Sequence, residues 1–138
     1  MSTETNKAVV RRFIDEVFLA GRFDAVDELC TDDFTAHTWG PMPAGRDGLK
    51  GAIERVSAGL SDPSMTVDDM LAEDDLVAVR LTSAATQSGS FMGIPPTNKR
   101  YEIGEIHLFR LRDGRISEHW HQADFLGMLR QLGAMPGK

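Results

Sequence analysis

The sequence predicts an α+β domain in which helices cover one face of a curved antiparallel sheet and enclose a pocket with it. Three observations carry this. Up to about residue 60 the apolar side chains recur at helical spacing, whereas from about residue 65 they alternate. Two long strand-like runs near the end meet at Asp113-Gly114, a strong signal for a tight hairpin. Helices first and antiparallel strands after is the α+β order, and a curved sheet packed on helices leaves a cone with a pocket at its mouth.

The 138 residues read as one domain, 1–138, long enough for a real core. With 41% hydrophobic and 26% charged residues, the balance is that of a globular protein. A net charge of -6 and the lack of a Lys/Arg run argue against a phosphate-binding surface, so nucleic acid is not expected as a partner. The start MSTETNKAVV has no signal-like regions and no apolar run approaches transmembrane length, so no membrane partner is expected and the location reads as cytoplasmic. Cys30 lies on a helical apolar stripe without a basic neighbour in sequence, which reads as a buried small hydrophobe rather than a nucleophile.

In order, residues 4–20 form the first helix, with Val9, Val10, Phe13, Ile14, Val17 and Phe18 on its buried face. Ser2 and Thr3 can cap its start and Gly21 suits its stop. A second short helix follows with Asp24 as N-cap, and Phe34–Trp39 reads as a strand carrying His37. Gly40 to Pro43 is a loop, and Asp47–Leu60 a third helix with Leu49, Ile53, Val56 and Leu60 on one side. Residues 65–70 and 76–86 then alternate as strands around the acidic turn Glu73-Asp74-Asp75. The loop Gln87–Lys99 carries Phe91, Met92 and Ile94, too apolar to lie in solvent, so it folds over something. Two long strands from Arg100 and a helix from Phe125 to Leu132 finish the chain.

The last third holds the chemistry, because ionisable groups stand among apolar ones: Glu105 and His107 on one strand, His119, His121 and Asp124 at the end of the other. Strand parity places Glu105, His107 and Phe109 on one face. On the partner strand it groups Ile116, Glu118, Trp120, Gln122 and Asp124, which brings Asp124 and His107 together at the pocket and turns His119 and His121 outward. Read as a residue alone, Asp124 is first an N-cap. His107 alone is as readily a hydrogen-bonded core histidine as a proton partner. A zinc pair at His119 and His121 is the weaker reading for those two, since no third ligand is evident. No metal site or cofactor motif is predicted.

The stretch Gly114-Arg115-Ile116-Ser117-Glu118-His119-Trp120, continuing through Asp124-Phe125-Leu126-Gly127-Met128-Leu129-Arg130-Gln131-Leu132-Gly133, resembles the SnoaL-like polyketide cyclases of the NTF2-like superfamily. Gly45-Arg46-Asp47-Gly48-Leu49, Gly93-Ile94-Pro95-Pro96-Thr97 and the early helix with Phe13 and Val17 match as well. One departure is Asn98, which follows Thr97 where a glycine is common. The resemblance implies an NTF2-like cone and a cofactor-free intramolecular aldol closure. It implies Asp124 as general acid/base and His107 as a pocket histidine, with Glu105 and His37 as further polar pocket residues.

The reading is therefore a cofactor-independent acid/base enzyme acting on a hydrophobic oxygenated small molecule. Asp124 and His107 are its catalytic residues, and His37, Glu105, Trp120, Trp39, Phe91 and Met92 contact the substrate. The alternative is a non-catalytic binding domain that keeps the cone. Val77, Val79, Ile106 and Leu108 are assigned to an apolar outer face through which a homodimer is expected.

Overall fold

The computed structural model describes residues 2–40 and 43–135. Helix α1 (Thr3–Phe13) begins as expected, with the Ser2 hydroxyl accepting the Thr5 N–H at 3.0 Å. It does not run on as α-helix. Ile14–Leu19 form a wider π-helical turn that places Phe18 and Leu19 on the wall of a cavity, and Gly21 at φ 65 ends the segment. Helix α2 (Phe23–Leu29) is preceded by Arg22, so Asp24 lies in its first turn rather than at the cap. It passes directly into β1 (Cys30–Ala36), which starts earlier than the sequence predicts. Helix α3 (Gly45–Gly59) follows; Pro41 and Met42 of the preceding loop lie outside the described residues.

The strands β2 (Leu60–Glu73) and β3 (Leu76–Gln87) form the first hairpin, and Pro63 falls in the register shift between Ser61 and Ser64. The strands β4 (Arg100–Arg112) and β5 (Arg115–Ala123) form the second. Their turn places Asp113 and Gly114 at φ 53 and 79, the positive values a tight two-residue hairpin needs. Helix α4 (Phe125–Leu132) closes the chain. The sheet order is β1-β5-β4-β3-β2, with β1 parallel to β5 and all other pairs antiparallel.

The inner face packs on α1, α2 and α3. Val77 pairs with Phe109 and Val79 with His107, and both valines are fully buried in the main core. That corrects their assignment to the outer face: they share the parity of His107, opposite to Ile106 and Leu108. The outer face instead carries Leu71, Ala78, Leu108 and Trp120, neighbours in one row across four strands. Ile106, 57% exposed, lies two residues along β4 from Leu108, and Leu71 is 71% exposed.

One irregularity in β5 matters more than any other. Leu111 pairs with Ile116 but Arg110 pairs with Glu118, so Ser117 is an extra residue, a β-bulge whose hydroxyl donates to the Arg110 carbonyl. Ile116 and His119, three apart, therefore both point inward, and each is 0% exposed.

The 88–99 loop does fold back over the cone. Phe91 and Ile94 exchange backbone hydrogen bonds around Met92-Gly93, both at positive φ, which puts Met92 at an exposed turn tip. Asn98, at φ 57, takes the left-handed conformation that asparagine tolerates better than most side chains, so it serves where a glycine is common.

Candidate active site

A cavity of about 210 Å³, several times one water's share of ~30 Å³, opens between the inner face, α3, α4 and the loop. Its apolar walls come from Phe18, Leu19, Trp39, Ile53, Val56, Met65, Phe91, Phe125 and Met128. Its polar groups cluster on the sheet: Ser83 from β3, Tyr101, Glu105 and His107 from β4, and His121 from β5. Burial and the Glu105 charge push the Tyr101 phenol up to about 12, so it stays a hydrogen-bond donor.

These groups form a chain whose polarity is set at one end. The Trp39 indole N–H, which can only donate, bonds His119 Nδ1 at 3.0 Å. Neutral His119 then carries its proton on Nε2 and donates to His107 Nδ1 at 2.8 Å. That leaves the His107 proton on Nε2, which donates to Glu105 Oε1 at 2.7 Å. The Ser83 hydroxyl donates to the other carboxylate oxygen. Burial alone would raise the Glu105 carboxyl, but the bonds from His107 and Ser83 outweigh it and hold the group below its ordinary range. An ionised carboxylate thus stands in an apolar cavity. Burial, and then the neighbouring imidazoles, push His119 well below the usual histidine range.

His107, Glu105, Trp39 and Phe91 line the cavity. The expected His107–Asp124 pair is not formed, because Glu105 and His119 occupy both His107 ring nitrogens. Asp124 is the N-cap of α4, with Oδ1 accepting the Gly127 N–H at 2.8 Å; the next residue, Phe125, lines the cavity. His37 and Trp120 lie on the outer face, stacked at 4.7 Å, with His37 bonded to Glu118 and Arg110 over the indole. Met92, 56% exposed, sits at the loop tip.

His119 and His121 are not outward bystanders. The bulge at Ser117 inverts the parity of everything after it, so both face inward, His121 directly opposite His107 with the rings stacked at 5.3 Å. Both His119 ring nitrogens are taken by protein partners, against the zinc reading. Alternation counted from Ile116 misses the two histidines, and a spacing pattern does not register one extra residue.

A cone closed by helices over an apolar cavity with an ionisable floor is the NTF2-like architecture. The chain belongs to the SnoaL-like polyketide cyclase family, whose model matches residues 8–132. It is 31% identical over 119 residues to nogalonic acid methyl ester cyclase of Streptomyces nogalater, covering 84% of this chain and 89% of the relative. It is 28% identical over 137 residues to aklanonic acid methyl ester cyclase DnrD of Streptomyces peucetius, covering 96% and 92%. Among solved structures, TsrD from Streptomyces laurentii matches with a TM-score of 0.89 at 28% identity, covering 98% and 99% of the two chains. IdmH from Streptomyces antibioticus matches with a TM-score of 0.79 at 34% identity, covering 93% and 98%. Among the described residues, no helix is long and apolar enough to cross a membrane.

Proposed function

We propose that the protein closes a ring in an oxygenated polyketide ester by cofactor-independent intramolecular aldol addition. The observation that carries this is the Glu105 carboxylate, hydrogen-bonded by His107 and Ser83, among the polar groups on the sheet side of a largely apolar cavity. In such a site the carboxylate stabilises a neighbouring base that becomes cationic on taking the substrate proton, and the Tyr101 hydroxyl is a donor for the oxygen on which charge develops. The ester cyclases among its relatives supply the substrate class. The test is incubation of the purified protein with nogalonic and aklanonic acid methyl esters, reading product by chromatography and mass. An isomer of unchanged mass with one more ring supports the reading. No isomer from either ester, and no deuterium uptake at the acidic methylene in D2O, overturns it.

A second reading gives the proton transfer to Asp124, favoured by its place beside Phe125 on the cavity wall. Asparagine caps helices as well as aspartate does. Asp124→Asn therefore keeps α4, and loss of ring closure without a change in melting would carry this reading.

The proposal includes a homodimer through the outer row Leu71, Ala78, Leu108 and Trp120, whose flanking Arg80 and Arg110 are already paired with Asp69 and Asp75. Sedimentation should show a dimer that Leu71→Glu with Ile106→Glu converts to monomer. A monomer in the unsubstituted protein overturns it.

A further inference from the structure

His121 is the imidazole of the cavity wall that the hydrogen-bonded chain leaves out. Glu105 has one oxygen on His107 and the other on Ser83, and His107 has both ring nitrogens engaged. His121 has Nδ1 at 3.0 Å from Thr38 Oγ1, while Nε2 has no partner among the described residues. The same Thr38 oxygen accepts the His121 backbone N–H at 2.8 Å. A hydroxyl oxygen has two lone pairs, so it can accept Nδ1–H as well, with its own O–H turned to solvent from an exposed side chain. In that arrangement Nε2 carries the lone pair, on a ring that lines the cavity.

The surroundings suit a base. Around the ring stand His107 and Glu105 from β4, His119 from β5, Trp39 from the segment after β1 and Phe125 from α4. Burial and His107 hold the imidazole below its usual range, while Glu105 pulls the other way. The ring is therefore neutral and able to accept a proton at neutral pH, and the imidazolium it forms meets a carboxylate.

Resting on the polyketide cyclase reading, we propose that His121 is the catalytic residue that moves the proton and that Thr38 positions it. Nε2 takes the proton from the acidic carbon, breaking C–H and forming N–H. The resulting enolate carbon adds to the internal carbonyl, whose π electrons move to oxygen. Nε2–H then protonates that alkoxide and the free base returns. No atom is gained or lost, so substrate and product are isomers. A hydroxyl partner suits this cycle because it holds Nδ1 without fixing the ring in the charged state.

The test compares wild type with His121→Asn and Thr38→Val on the two methyl esters. His121→Asn should lower kcat by about 10²–10⁴-fold with KM changed less than threefold, the range for a lost general base. Added imidazole should restore part of the rate in His121→Ala. Thr38→Val should lower kcat and shift the pH profile with an unaltered melt. Turnover in His121→Asn within threefold of wild type overturns the inference and leaves the cyclase reading standing. If wild type turns over neither ester, the cyclase reading fails and the inference is judged by ¹⁵N chemical shifts of the histidines. An unprotonated Nε2 on His121 at pH 7 supports it, and a protonated Nε2 with a bare Nδ1 overturns it.

Discussion

Replacing Trp39 by Phe should unlock the buried histidine chain, and its size follows from the geometry. Phe keeps most of the ring but removes the N–H that meets His119 Nδ1. His119 is 0% exposed, so that nitrogen is left without a donor and without water. An orphaned buried acceptor costs about 2 kcal/mol, within the usual range of 1–3. The smaller ring forfeits about 1 kcal/mol of contact with Phe18, His119 and His121. The sum, about 3 kcal/mol, lowers Tm by roughly 10 °C for a chain of this size.

The pH dependence separates the hydrogen bond from the packing. His119 binds protons less readily folded than unfolded, chiefly through burial and then through the neighbouring imidazoles. Between its folded value and the ordinary 6.5 the unfolded chain therefore holds more protons, and wild-type stability falls as pH drops below about 6.5. The limiting slope is roughly 1.4 kcal/mol per pH unit for one proton. Protonating His119 at Nδ1 sets an N–H against the Trp39 N–H, a clash that Phe removes. The variant should be less stable at pH 7.5 yet lose stability more slowly on acidification. Thermal melts from pH 7.5 to 5 read both. A Tm within 2 °C of wild type, or parallel acid slopes, refutes the donor assignment that orders the chain.

The 88–99 loop can be tested in the same terms. A Cβ on Gly89 would meet the Ala58 carbonyl oxygen at 2.2 Å, a backbone atom that cannot rotate away, so Gly89→Ala should cost about 1–3 kcal/mol. It should also speed hydrogen exchange through Phe91; exchange and melting equal to wild type would show that the loop is not clamped on α3. Gln87, 0% exposed, donates to Ile94 and Pro95 carbonyls and accepts from Thr97 through its amide. Gln87→Leu should lose about 2 kcal/mol and open the loop to limited proteolysis, and a loop as resistant as wild type's counts against its role as the anchor.

The architecture was legible because it rests on periodicity. The Val9–Phe13 part of the first stripe, the alternation after residue 65 and the Asp113-Gly114 turn each encode a local geometry that tertiary packing did not override, whereas Ile14–Leu19 widened into a π-helical turn. So was the β4 face of Glu105, His107 and Phe109, an uninterrupted run at period two. The β5 face was not, because its reading began at Ile116 and passed through Ser117. Nothing about serine marks a bulge, which arises from how two strands fit and not from one residue's preference. A single uncounted residue exchanged Trp120 for His119 and His121 on the inner face, with His121 on the cavity wall. His37 was placed inside on the resemblance rather than on parity: Ala36 pairs with His119, so its neighbour points outward beside Glu118.

If the bulge selects which side chains meet the cavity, deleting Ser117 should be far more damaging than the loss of one small polar side chain suggests. Without it, strict alternation from Ile116 would turn Glu118, Trp120 and Gln122 inward and His119 and His121 outward. That buries a carboxylate without its partners His37 and Arg110 and removes the ring that ties Trp39 to His107. The chain can instead keep the histidines inside by rotating Ile116, now 0% exposed, toward solvent, which costs about 3 kcal/mol in lost burial. Either route takes at least about 3 kcal/mol from a stability that is ordinarily 5–15. Ser117→Ala, which keeps the extra residue and loses only its bond to the Arg110 carbonyl, should cost about 1 kcal/mol. Denaturant melts of the pair measure the difference. Equal midpoints for the deletion and the substitution would mean that β5 tolerates either register, and that the inward place of His121 is not set by the bulge.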